Sequence, residues 1–111
     1  MEKFMFLFSG SKVYQPGQSP EAFQALKEKM IHWMGELAKK GLFVSSEPLQ
    51  RTGKHVTSAK KVVTDIIEAK EIIGGFTIVQ AKDINEAVEI AKGCPILESD
   101  ADIEIRPIQK M

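Results

Sequence analysis

Phe4-Met5-Phe6-Leu7-Phe8 is the stretch on which the fold turns. A strand half in water alternates apolar and polar side chains. Here both alternating sets are apolar. Such a strand belongs in the interior of a sheet and needs cover on both faces. Helices can supply one cover. The other calls for a second layer, which a partner subunit can provide.

Working outward, Gly10 to Gln18 carries Gly10, Ser11, Pro16 and Gly17 and reads as a loop. A helix then begins, with Ser19 suited to the N-cap, Pro20 to the first helical position and Glu21 to the first turn. Phe23, Leu26, Met30, Trp33, Met34 and Leu37 recur at spacings of three and four, forming one apolar stripe. Lys39 and Lys40 fall in the last turn, and Gly41 predicts a left-handed cap. Leu42-Phe43-Val44 opens a second strand, interrupted by Pro48, Thr52 and Gly53. Residues 55–64, with Val56, Val62 and Val63, predict one further strand, and residues 72–80 another. Gly74-Gly75 inside that last segment predicts a bulge or a close approach of backbone or ligand. A second helix starts at Asp83, with Glu86 completing a capping-box-like pattern and Ile84, Ala87, Val88, Ile90 and Ala91 facing inward. Gly93 ends it and Pro95 bars its continuation. Ile103, Ile105 and Ile108 alternate with Glu104 and Pro107 in a final strand with one face to solvent. The order β, α, β, β, β, α, β predicts an α+β fold: a ferredoxin-like split βαβ arrangement with an extra strand.

The size suits one domain: 111 residues, 43% apolar and 27% charged. Fifteen basic and fifteen acidic side chains cancel, so no basic excess marks a nucleic-acid surface. Lys54, His55, Lys60 and Lys61 form the nearest approach to a basic cluster and read as a solvated face. Cys94 is the only cysteine, which removes any disulfide within the chain and, with two histidines, leaves too few ligands for a structural zinc site. The apolar start is short and lacks a small-residue cleavage site, so it reads as a strand and not a leader. With no apolar run long enough for a membrane span, the expectation is a cytoplasmic protein.

No phosphate loop, HExxH or nucleophile elbow is present. The candidates are dispersed. Glu47 ends a predicted strand in Ser45-Ser46-Glu47-Pro48-Leu49, where a carboxylate can reach a pocket and act as a base; the plainer reading is a solvated turn residue. Asp65, Glu68, Lys70 and Glu71 cluster before Gly74-Gly75. A lysine held among carboxylates can receive an anion; equally, the cluster can be a charged turn with weak ion pairs. On the first helix, Trp33 falls on the apolar stripe and His32 rims it. Either can meet a ligand, although Trp33 reads first as core. Cys94, before Pro95 and without a basic neighbour, is not expected to be a reactive thiolate.

Val63-Thr64-Asp65 followed by Glu68-Ala69-Lys70-Glu71-Ile72-Ile73-Gly74-Gly75-Phe76 resembles the pattern of the YCII-related family, in its DGPF branch. Ser19-Pro20-Glu21, Gly41, Glu47-Pro48-Leu49-Gln50, Asp83, Glu86-Ala87, Ala91, Cys94-Pro95 and Glu104-Ile105-Arg106-Pro107-Ile108 extend the likeness over nearly the whole chain. Two departures stand out. Ile66-Ile67-Glu68 follows Asp65, so the Gly-Pro-Phe of the motif is absent. The region where the wider family places a histidine, early in the first helix, reads Ser19-Pro20-Glu21-Ala22, with His32 about three turns further on. The family's suggested histidine–aspartate pair therefore does not carry over.

The resemblance implies a dimeric α/β barrel with a cleft in each subunit, and it settles no activity. Together these readings give two expectations. One is a metal-independent acid/base enzyme of lyase or isomerase type acting on a small anionic substrate. In it Glu47 or Asp65 moves the proton, Lys70 and Glu71 bind substrate, and His32 and Trp33 line the pocket. The other is a non-catalytic ligand-sensing or regulatory module linked to transcription. Neither calls for a cofactor, and both expect a homodimer, no nucleic acid and no membrane.

Overall fold

The computed structural model describes residues 1–10, 20–50, 52–66 and 73–111. The elements run β1 (Glu2–Ser9), α1 (Pro20–Lys39), β2 (Phe43–Pro48), β3 (Lys54–Val56), β4 (Val63–Asp65), β5 (Ile73–Ala81), α2 (Ile84–Lys92), a 3-10 turn (Pro95–Ser99) and β6 (Asp102–Pro107). Four strands make the main sheet in the order β2-β5-β1-β6, and every neighbouring pair is antiparallel. β1 and β2 are therefore parallel to each other with β5 between them, and β5 and β6 are parallel with β1 between them. Each such pair is bridged by one helix. This is the split βαβ arrangement, twice over.

β1 is an interior strand, as its composition requires. Phe4, Phe6 and Phe8 are buried beneath the helices with Val79, Ala81, Leu26, Met30, Leu37, Ala87, Ala91 and Ile96. Met5 and Leu7 alternate to the other face and are half-buried there. Register puts Leu7 beside Phe76 and Met5 beside Ile78, while Glu104 and Arg106 of β6 flank them. Among the described residues no helix or strand covers this second face, and the molecule is 18 Å through its thinnest dimension, about the depth of one sheet and one helix layer.

The helix ends follow local chemistry. Gly41 takes φ 73° after α1, the left-handed conformation that a side chain disfavours. Ser19, expected as the N-cap, lies outside the described residues, as does the loop at 11–18. Asp83 caps α2, its carboxylate accepting the Glu86 N–H at 2.9 Å. Glu86 reaches back to the Lys82 N–H at 3.2 Å, one residue earlier than a capping box prescribes. Ala87 and Ala91 are the buried positions of α2; Ile84, expected inside, is the first residue of the helix and is exposed.

One expectation fails outright. Residues 55–64 are not one strand. They belong to a separate hairpin, β3 against β4, with Val56 opposite Val63 and Lys54 opposite Asp65. The chain reverses between Thr57 and Val62, where the Thr57 hydroxyl oxygen accepts the Val62 N–H at 3.0 Å and the Thr57 N–H reaches the Val62 carbonyl at 2.9 Å.

Candidate functional site

Gly75 determines how closely β2 can lie against β5. A Cβ at this position would sit 3.0 Å from the Glu47 carbonyl oxygen and 3.3 Å from the Pro48 Cα, so only glycine permits the approach. The β1–β5 register also slips here: Phe8 faces Gly75 and Ser9 faces Ile73, leaving Gly74 as the extra residue of a bulge. Both readings of Gly74-Gly75 hold at once. Pairing continues beyond Pro48, with the Leu49 N–H donating to the Gly74 carbonyl at 3.0 Å.

Ser46 fixes the same strand end through its side chain. Its oxygen lies 3.0 Å from the Phe76 carbonyl and 2.8 Å from the Thr77 hydroxyl. A carbonyl can only accept, so the single Ser46 proton goes to Phe76, and Thr77 must then donate to Ser46. Thr77 is 0% exposed, the one buried polar side chain among the described residues, and this bond satisfies it.

The strand end so held forms one wall of a cavity of about 270 Å³. Ser46, Glu47 and Pro48 face Phe23, Lys27, Met30, Ile31 and Met34 of α1, with Phe8 of β1 between. The walls are mainly apolar, with one carboxylate and one ammonium group. Among the described residues neither Glu47 nor Lys27 forms an ion pair. Register pairs Glu47 with Phe76, whose side chain belongs to the uncovered face. The exposed carboxylate therefore stands at the rim, where cavity and open face meet, not in the depth.

The other candidates lie elsewhere. His32 and Trp33 are on the opposite flank of α1, lining a groove of about 520 Å³ with Ala25, Glu28, Lys29, Glu36, Gly93 and Pro95. Trp33 also packs on Phe6, ring centroids 6.4 Å apart, as its place on the apolar stripe leads one to expect. Asp65 is on the hairpin, exposed and paired with Lys54. Lys70 and Glu71 lie outside the described residues. The structure thus separates Glu47, Asp65 and the His32–Trp33 pair into three places. Lys27 and Ser46 escaped the sequence reading: Lys27 looks like any exposed helix lysine, and only the packing of α1 along β2 brings it to the same cavity as Glu47. Among the described residues no cluster of three His, Cys, Asp or Glu is placed to hold a metal ion, and no helix is long and apolar enough to cross a membrane.

A single antiparallel sheet with two helices on one face and a cavity at the helix–strand seam defines a ferredoxin-like α+β protein. The chain belongs to the YCII-related domain family, whose model matches residues 5–111. No curated protein sequence matches it. Among solved structures it is similar to 5-chloro-2-hydroxyhydroquinone dehydrochlorinase from Burkholderia phenoliruptrix AC1100, in complex with 2,5-dihydroxybenzoquinone. The TM-score is 0.58 and the identity 14%, over 98% of this chain and 95% of that one. At this identity the likeness is one of fold.

Proposed function

We propose that the seam between α1 and β2 binds a small ring-sized molecule bearing an anionic or strongly polar group, and that Glu47 moves a proton on it. The observation that carries this is a mainly apolar cavity whose lining includes one acidic residue, Glu47, and one basic residue, Lys27. Apolar walls take the body of a ligand, and a few placed polar groups orient it. Lys27 would hold the anion, with Glu47 as acid/base group in a lyase- or isomerase-type step that needs no metal. The family, and a structural neighbour named as a dehydrochlorinase and bound to a single-ring quinone, support a small-molecule enzyme of this general kind. The open sheet face supports a homodimer, the two sheets meeting as in an α/β barrel. That contact would cover the rim and shield Glu47 from water.

A ligand-sensing reading of the same cavity is favoured by one observation. Neither histidine lines this cavity, and among the described residues Lys27 is the only other titratable side chain that does. Binding and turnover separate the two. We expect 2,5-dihydroxybenzoquinone to raise the thermal midpoint of the wild type and not of Lys27→Ala. Glu47→Gln should retain the shift and lose any conversion of hydroxylated ring substrates. No shift in the wild type would overturn the pocket reading. A shift without turnover in a substrate panel would leave the sensing module.

A further inference from the structure

On the far flank of α1 lies the larger of the two spaces described above, and its chemistry differs from that of the seam. Glu28, His32 and Glu36 follow at intervals of four and form one row along the helix. Ala25, Lys29 and Trp33 form the next row inward, and Gly93 and Pro95 close the far side. The Trp33 ring is half-buried: it rests on Phe6 and lines the groove. Lys29 is drawn aside, its ammonium 3.3 Å from the Glu98 carboxylate. Glu36 is paired with Lys39 at 3.3 Å, in an exposed contact that a ligand can replace. Among the described residues Glu28 accepts only the neutral Gln24 amide, at 3.2 Å, and forms no ion pair. Counted with their partners, Glu28, Glu36 and Glu98 outnumber Lys29 and Lys39 by one.

A groove lined by an indole and by a carboxylate without an ion-pair partner among the described residues attracts a cation. The ring quadrupole and the negative charge act together, while the apolar lining takes the body of the ligand. We propose that this groove is a second binding site, for an organic cation with an apolar body of the arylalkylammonium class, with Trp33 and Glu28 as its main contacts. The site shares no lining residue with the α1–β2 cavity and does not depend on the function proposed there.

Gly93 supplies a way to close the groove without disturbing the fold. Its φ of −87° and ψ of −1° suit any residue. A Cβ there would lie 3.6 Å from the Ile90 carbonyl oxygen and 3.9 Å from Trp33 Nε1, both ordinary contacts. A larger side chain at 93 would therefore project into the groove.

Trp33 is the only tryptophan, so its fluorescence reports on this site alone. The test titrates phenethylammonium, neutral 2-phenylethanol and anionic phenylacetate against the intact protein. The expected result is a saturable change in emission with the ammonium compound, at least roughly fivefold tighter than with the alcohol, and none with phenylacetate. Glu28→Gln should abolish the preference for the cation, and Gly93→Leu should abolish binding with the thermal midpoint kept. Equal binding of alcohol and ammonium, preference for the anion, no binding of the ammonium compound, or undiminished binding in Gly93→Leu would each overturn the proposal.

Discussion

At the scale of single residues, two buried groups make testable commitments. The proton count at Ser46 and Thr77 makes Thr77 the donor, so removing either partner has a different cost. Ser46→Ala leaves a hydroxyl buried without that acceptor and should cost about 1–3 kcal/mol. Thr77→Val leaves the half-buried Ser46 still bonded to Phe76 and should cost about 1 kcal/mol or less. The double variant should be less destabilised than the sum of the two, as read from urea midpoints. Cys94 commits in another way. Burial pushes its thiol from 9.0 up to about 12, against a smaller lowering by a backbone hydrogen bond from Ile96. Below the unfolded value both states keep the proton. As pH rises past it, the unfolded chain ionises while the folded one does not, so stability falls through the window up to about 12. The slope is at most about 1.4 kcal/mol per pH unit. Cys94→Ala should show a smaller loss between about pH 8 and about pH 10 than the wild type. The wild-type thiol should resist alkylation until the protein unfolds. That unreactive thiol was legible in the sequence, from a cysteine without a basic neighbour; the Ser46–Thr77 bond was not, because the residues meet only across two strands.

Among the elements, those with strong periodicity could be read directly and the weakly marked ones could not. β1, α1, β5 and α2 carry stripes, caps or uninterrupted apolar runs, and all lie within a residue or so of where those signals put them. The β3–β4 hairpin was hidden because its reversal uses neither an Asn-Gly pair nor any glycine or proline between Thr57 and Val62. Instead Lys61 takes φ 52°, a left-handed conformation that costs a side-chain-bearing residue roughly 1 kcal/mol. Lys61→Gly should relieve it and slow hydrogen exchange at the Thr57 amide, which bonds across the turn. Unchanged exchange would mean that the turn is not what limits the hairpin. The candidate site was half legible for a related reason. Glu47 was found because a strand end is a local feature. Lys27, which lines the same cavity, was not, since helix-on-strand packing leaves no trace in the spacing of either segment.

For the whole molecule, the two-sided apolarity of β1 is half answered by the described residues: helices bury Phe4, Phe6 and Phe8, while Met5, Leu7, Phe76 and Ile78 share a half-buried face that no described helix or strand covers. On the proposed dimer, Ile78→Asp should yield a monomer by sedimentation with the far-ultraviolet spectrum retained, whereas a wild type that sediments as a monomer would remove the shared-sheet arrangement. The radius of gyration of 15.3 Å exceeds the about 13 Å typical of a compact chain this long, in keeping with a slab and a projecting hairpin. The pairing of β1 has a further consequence, for biosynthesis. Phe4 stands in register between Val79 and Pro107, so the most apolar strand is made before either of the strands it pairs with. During translation it must wait, unpaired, until β5 and then β6 have left the ribosome. Folding of this chain is thus set by distant closures, and the nascent Phe4–Phe8 segment is the natural target for a chaperone.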